Sequence, residues 1–308
     1  MNFSSAWLFL LAAAPLLQAS ENTGIKMTIQ YGQGAYPSKH TIYMQGDRKR
    51  TEYQNSFGMK KADGSMQPVY GPHIASITRC DLGQAFELNL DTHEYTSAPY
   101  PPKPFTPEEL KARGLDKPVT YAADQPTVRI ETTTTDTGER KEIFGHVARH
   151  VITTRNHTPL EGTRSGPQES VTDGWYIDFS QRLPCDRKLP ETGQAHSYLR
   201  AGGGKQPIDR PEFIAIGEPE RGFALNILTT IKGTYTLPDG TIKQMNSKME
   251  MQVTQFDEGP LDPALFEIPP GFKHVDHIER NPATMAYSSQ PKSLWQRVKA
   301  SVAGLLNR

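Results

Sequence analysis

Two long runs, "GFALNILTTIKGTYTL" and "TIKQMNSKMEMQVTQF", face each other across Pro238-Asp239-Gly240, and this arrangement constrains the chain more than any other. Thr, Ile and Val enrichment on both sides of a Pro-Asp-Gly turn specifies a long β-hairpin. The same grammar recurs upstream. Ile25, Met27, Ile29 and Tyr31 alternate with Lys26, Thr28 and Gln30, the period of a half-buried strand. "HTIYMQ" meets "RKRTEYQ" across Gly46-Asp47, and "IASITRC" follows. In "QAFELNLDTHEYTSAPY" Phe86, Leu88 and Leu90 fall on one face of a ribbon that turns at Asp91-Thr92-His93.

Pro99, Pro101, Pro102 and Pro104 cannot donate to a ladder and predict an extended linker. It ends at "TPEELKARG", where Thr106 as N-cap, Pro107 at the first helical position, Glu109 three residues after the cap and Gly114 beyond the last turn predict a short helix. Strands return with "VRIETTTT", a turn at Asp136-Thr137-Gly138, "RKEIF", "HVARHVITT" and "GWYIDF". Residues 180–212 hold Pro and Gly without a clear period and read as one long loop. No fixed-period repeat interrupts the pattern. The expected fold is mainly β (α+β), a large antiparallel sheet with few helices, as a single β-rich domain over residues 21–280.

The first twenty residues place an apolar run, Ala6 to Leu17, before small residues, the pattern of a cleaved secretion signal with its cut near Ala19 or Ser20. That run is too short to span a bilayer. Export to a periplasmic or extracellular space is the expectation. An oxidising compartment then favours a bridge between the two cysteines, Cys80 and Cys185. Lys plus Arg (34) equals Asp plus Glu (34), so no basic field points to nucleic acid.

Motifs of catalysis are missing. His146 and His150 have the spacing of a helical zinc pair, but on a strand four residues span about 13 Å. His274 and His277 lack a completing Cys or carboxylate set. "AGGGKQ" departs from a phosphate loop, with Leu199 where the earlier Gly belongs and Gln206 in place of Ser or Thr. Neither Ser65 nor Ser165 sits in a G-x-S-x-G elbow. A non-enzyme without cofactor or metal is expected. The tail after residue 280 is polar and ends in a helical pattern: Leu294, Trp295, Val298, Val302 and Leu305 on an apolar side, with Lys292, Arg297, Lys299 and Arg308 around it. Such a helix either docks on its own sheet or lies against a membrane or partner surface.

The succession "TIYMQGDRKRTEY", "RCDLGQAFELNLDTHEYTS", "IFGHVARHVITT", "GWYIDF" and "LFEIPPGFKHV" resembles the LolA/LolB-like superfamily of exported lipoprotein carriers, over most of residues 24–275. The resemblance implies a strongly curved sheet, half of a barrel, with helices closing its concave side over an apolar cavity. Tyr31, Met44, Tyr53, Phe86, Leu88, Leu90, Trp175 and Ile177 are then the candidate lining. It implies binding of a lipid or lipidated peptide. The alternative reading is an envelope interaction module with a solid core.

Overall fold

The alternating runs become strands in the computed structural model, which describes residues 23–32, 37–61, 63–112, 121–163, 165–188, 208–236 and 241–278. In chain order they are β1 (Gly24–Tyr31), β2 (Ser38–Gln45), β3 (Arg48–Lys60), β4 (Met66–Arg79), β5 (Gln84–Asn89), β6 (Glu94–Pro99), β7 (Val128–Ile143), β8 (His146–Pro159), β9 (Gln168–Ile177), β10 (Pro211–Ile216), β11 (Phe223–Thr236), β12 (Ile242–Gly259) and β13 (Lys273–His274). The one α-helix among the described residues, α1 (Pro107–Ala112), buries none of its side chains. All strands belong to one open sheet in the order β10-β7-β8-β9-β11-β12-β1-β2-β3-β4-β5-β6-β13. The first strand thus lies at the centre, between β12 and β2. The sheet is mixed rather than wholly antiparallel, because β10 runs parallel to β7 and β13 parallel to β6 at its two edges.

Local chemistry explains several connections. Asn89 Oδ1 accepts from the amides of Asp91 and Thr92, and His93 takes φ 55°, which closes the β5–β6 ribbon where the sequence places its turn. Gly46, at φ 56°, makes the β2–β3 turn. The capping box forms as expected: Thr106 Oγ1 accepts from the Glu109 amide, and Glu109 Oε2 accepts from the Thr106 amide.

Two expectations fail. Asp136-Thr137-Gly138 is a bulge inside the uninterrupted β7, and the chain reverses only at Phe144-Gly145. Asp136 Oδ1 accepts from the Gly138 amide while its carboxylate binds Arg140, so the side chain ties down the two extra residues of β7 without ending the strand. Residues 180–212 are not wholly loop either. Pro184–Lys188 form a 3-10 turn, and β10 begins at Pro211.

The sheet is bent. β9 and β11 separate β8 from β12, which in a flat sheet sets their backbones about 14 Å apart. Yet the His146 ring meets Phe256 edge-on at 5.2 Å, and Phe144 stacks on Phe256 at 6.3 Å. The β7–β8 end therefore curls over β12. On this inner face Met27, Ile29, Ile42, Met44, Val253 and Phe256 form the main core. On the opposite face of the β2–β6 region Ala75, Ile77 and Leu88 are covered by Phe266, Leu261, Leu265 and Phe272 from the segment after β12. Arg79 fastens that cover, bonding Glu267 and the Phe266 carbonyl as well as Asp81.

The sheet is also split. β12 meets β1 only from Met251 onward, and β3 meets β2 only as far as Gln54. Both continue past the Tyr31–Ser38 end of β1 and β2, β12 back to Ile242 and β3 on to Lys60. Beyond that end no strand among the described residues lies between β12 and β3.

Candidate functional site

Hydrophobic alternation puts Met27 and Ile29 of β1, Ile42 and Met44 of β2, and Val253 and Phe256 of β12 side by side on the inner floor. Ala148, Ile177 and Leu225 extend it across β8, β9 and β11. The chain leaving β9 turns back over one end of this floor and seats Leu183 and Cys185 in it, with Phe179 packed at the margin against Phe223 and Phe256. Cys185 bridges to Cys80 at the end of β4, Cα to Cα 5.6 Å. Asp186 adds two ties: it accepts from the Tyr100 hydroxyl and, at 2.8 Å, from the Leu183 amide. Burial, followed by the Asp186 carboxylate, pushes the Tyr100 phenol up to about 12. Among the described residues, a segment with one short 3-10 turn, Pro184–Lys188, rather than an α-helix covers this face.

Past the covering segment the floor continues in aromatic residues. Ile29 pairs with His40 and His40 with Tyr53, so the three share the inner face. Tyr31 meets His40 edge-on at 4.8 Å, and His40 lies 5.3 Å from Tyr53. Tyr31 is 41% exposed, while His40 and Tyr53 are half-buried. Desolvation lowers the His40 pKa and raises that of Tyr31, so burial disfavours the charged form of both rings. The row is an aromatic ledge, open where the core is closed.

The expected lining divides between the two faces. Met44 and Ile177 lie in the inner core, Trp175 packs against it, and Tyr31 and Tyr53 form the ledge. Phe86, Leu88 and Leu90 belong to the other cluster, beneath Phe266 and Phe272. The apolar side of the β5 ribbon therefore faces the segment after β12.

Polar groups gather at two places that spacing alone did not reveal. His150 stacks on Trp175 at 4.8 Å, Lys141 Nζ sits 3.8 Å above the same indole, and His150 Nε2 is 2.9 Å from Asp173 Oδ1. His146 has its own neighbour, Glu258, at 3.4 Å, so the two imidazoles do not converge. No group of three metal-ligating side chains occurs among the described residues. Elsewhere, Arg149 donates to both oxygens of Glu220 (2.8 and 2.6 Å) and to Asp178 (2.6 Å). These Arg149 bonds depress the Glu220 carboxyl. They form one wall of a surface cavity of about 320 Å³ that Asp136, Thr134, Glu218 and Arg221 also line. Of its charges, Arg149 is paired with Glu220 and Asp136 with Arg140 within the protein.

Fold and face together define a mainly β protein with a bent, mixed sheet, a disulfide-stapled inner core and an open aromatic ledge. No protein-family model matches the sequence, and no curated protein matches it. No helix among the described residues is long and apolar enough to cross a membrane. The leader, "AGGGKQ", the Pro238-Asp239-Gly240 turn, Gly114 and the helix carrying Leu294, Trp295, Val298, Val302 and Leu305 lie outside the described residues.

Proposed function

We propose that this chain is an exported, non-enzymatic protein of LolA/LolB-like kind that binds the apolar part of an amphiphile, a lipid or lipidated peptide, on the inner face of its bent sheet. One observation carries the reading: the buried floor does not stop at the covering segment but runs on into the rings of Tyr31, His40 and Tyr53, which are partly open. An acyl chain laid along such a ledge gains about 0.8 kcal/mol per buried methylene. The Cys80–Cys185 bridge is consistent with an oxidising compartment and supports export.

Native mass spectrometry of protein purified gently from a cell envelope tests the proposal. An adduct of lipid mass, lost in Tyr31→Ala/Tyr53→Ala protein, is expected. Repeated recovery of bare protein that also fails to bind a fluorescent fatty acid would overturn it. A second reading, an envelope interaction module with a filled core, draws support from Leu183, Cys185 and Phe179 packing into the floor. In that case removal of residues 291–308 abolishes envelope association while no lipid is found at any stage.

A further inference from the structure

The aromatic ledge holds one side chain of a kind whose charge changes in mildly acidic water. His40 sits in the middle of a cross-strand row on the inner face, with Val253 of β12 and Ile29 of β1 on one side and Tyr53 of β3 and Ile74 of β4 on the other. Val253, Ile29 and Ile74 are buried, and the imidazole is the one basic group of that row. Along the ledge it has a phenol ring on each side, Tyr31 at 4.8 Å and Tyr53 at 5.3 Å between ring centroids. An acyl chain laid from one phenol to the other therefore crosses the imidazole.

The titratable groups that face this ring are the two phenols, Tyr31 from β1 and Tyr53 from β3. Lys39, its neighbour on β2, pairs with Gln30 and Gln54 and lies on the opposite face. Among the described residues no carboxylate pairs with the imidazole. A positive charge on His40 is thus stabilised by solvent, which reaches the half-buried ring from the open side. Burial already disfavours that charge and lowers the pKa from its ordinary 6.5. An apolar chain that covers the ring removes the remaining water and deepens the same penalty. Ligand and proton then oppose each other at His40, by the same factor in each direction.

We propose that His40 makes the ledge a proton-operated site, which holds an apolar chain while the imidazole is neutral and releases it when the ring takes a proton from solvent. Such control presupposes a ledge that binds the apolar part of an amphiphile, and adds to that function a signal for unloading. Affinity is complete above the pKa of the uncovered ring. As pH falls below that value it declines by up to about tenfold per unit.

Fluorescence enhancement of N-phenylnaphthylamine, an apolar dye that carries no charge under either condition, tests this on the full chain at pH 7.5 and pH 4.5. Binding is expected at pH 7.5, with a dissociation constant at least about threefold larger at pH 4.5. His40→Phe keeps an apolar ring in the row and should bind the dye equally at both. If that variant does not fold, an NMR titration of the wild-type histidine ring protons decides, since saturating dye should move the His40 midpoint to lower pH. A wild-type affinity that stays constant, a loss of equal size in His40→Phe, or a midpoint that the dye leaves in place overturns the proposal while the lipid-binding function stands. Failure to bind the dye at either pH overturns both.

Discussion

Cys185 stands 5.6 Å, Cα to Cα, from Cys80, although 105 residues separate them in sequence. The pair joins the end of β4 to the segment that leaves β9, so one covalent link holds the cover on the inner core. In the chain-entropy model a loop of this length restrains the unfolded chain by about 4–5 kcal/mol. Cys80→Ser/Cys185→Ser protein, or wild type in dithiothreitol, should show a urea midpoint lowered accordingly. An unchanged midpoint would mean that the cover is held by packing alone.

The Tyr100–Asp186 contact makes a prediction at alkaline pH. The phenol is raised from 10.0 to about 12 in the folded protein, so the unfolded chain releases its proton first. Its contribution is complete below about pH 10 and disappears as pH rises toward 12. Tyr100→Phe should flatten that part of the stability-versus-pH curve, and ultraviolet titration of the phenolate should lose its latest-titrating component.

Arg149 makes the opposite prediction at acid pH. Its bonds hold Glu220 below the ordinary carboxyl value of 4.5, so their contribution is present above about pH 4.5 and is lost as pH falls through the lowered value. Arg149→Leu leaves Glu220 without its main partner and should cost about 2 kcal/mol at pH 7. The difference from wild type in urea midpoint should narrow at pH 3.

Phe266 is fully buried between the 3-10 turn Pro263–Phe266 and the outer side of β4 and β5. Phe266→Ala should cost about 3–4 kcal/mol through lost transfer energy and the cavity left behind. Hydrogen exchange should then rise first in β4 and β5, whose outer face this ring covers, and less in β8 and β9.

The residues that were legible were those whose structure depends on near neighbours. Ile25, Met27, Ile29 and Tyr31 alternate because β1 has two unlike faces, and Thr106 and Glu109 cap each other within one turn. The Asp136-Thr137-Gly138 signal was ambiguous, since a turn and a bulge both need a residue at positive φ, and the distinction rests on the facing β8. Which face Leu88 and Phe86 would occupy was hidden for a similar reason. Period two says only that the faces differ, and the Phe266 segment that covers them lies far along the chain. β10 escaped notice because "PEFIAI" is short and parallel, with its partner far upstream in β7. The pairing of Arg149 with Glu220 and Asp178 leaves no trace in spacing at all.

The central position of β1 bears on how such a chain reaches its final form. Its register with β12, from Gly24 opposite Gly259 to Tyr31 opposite Met251, knits the earliest strand to nearly the latest. A polypeptide delivered N-terminus first cannot close this seam until almost all of it has been handed over. Met27 and Ile29 must wait for Phe256 and Val253, so this seam closes late, and a product cut short before β12 would be left with its middle ajar.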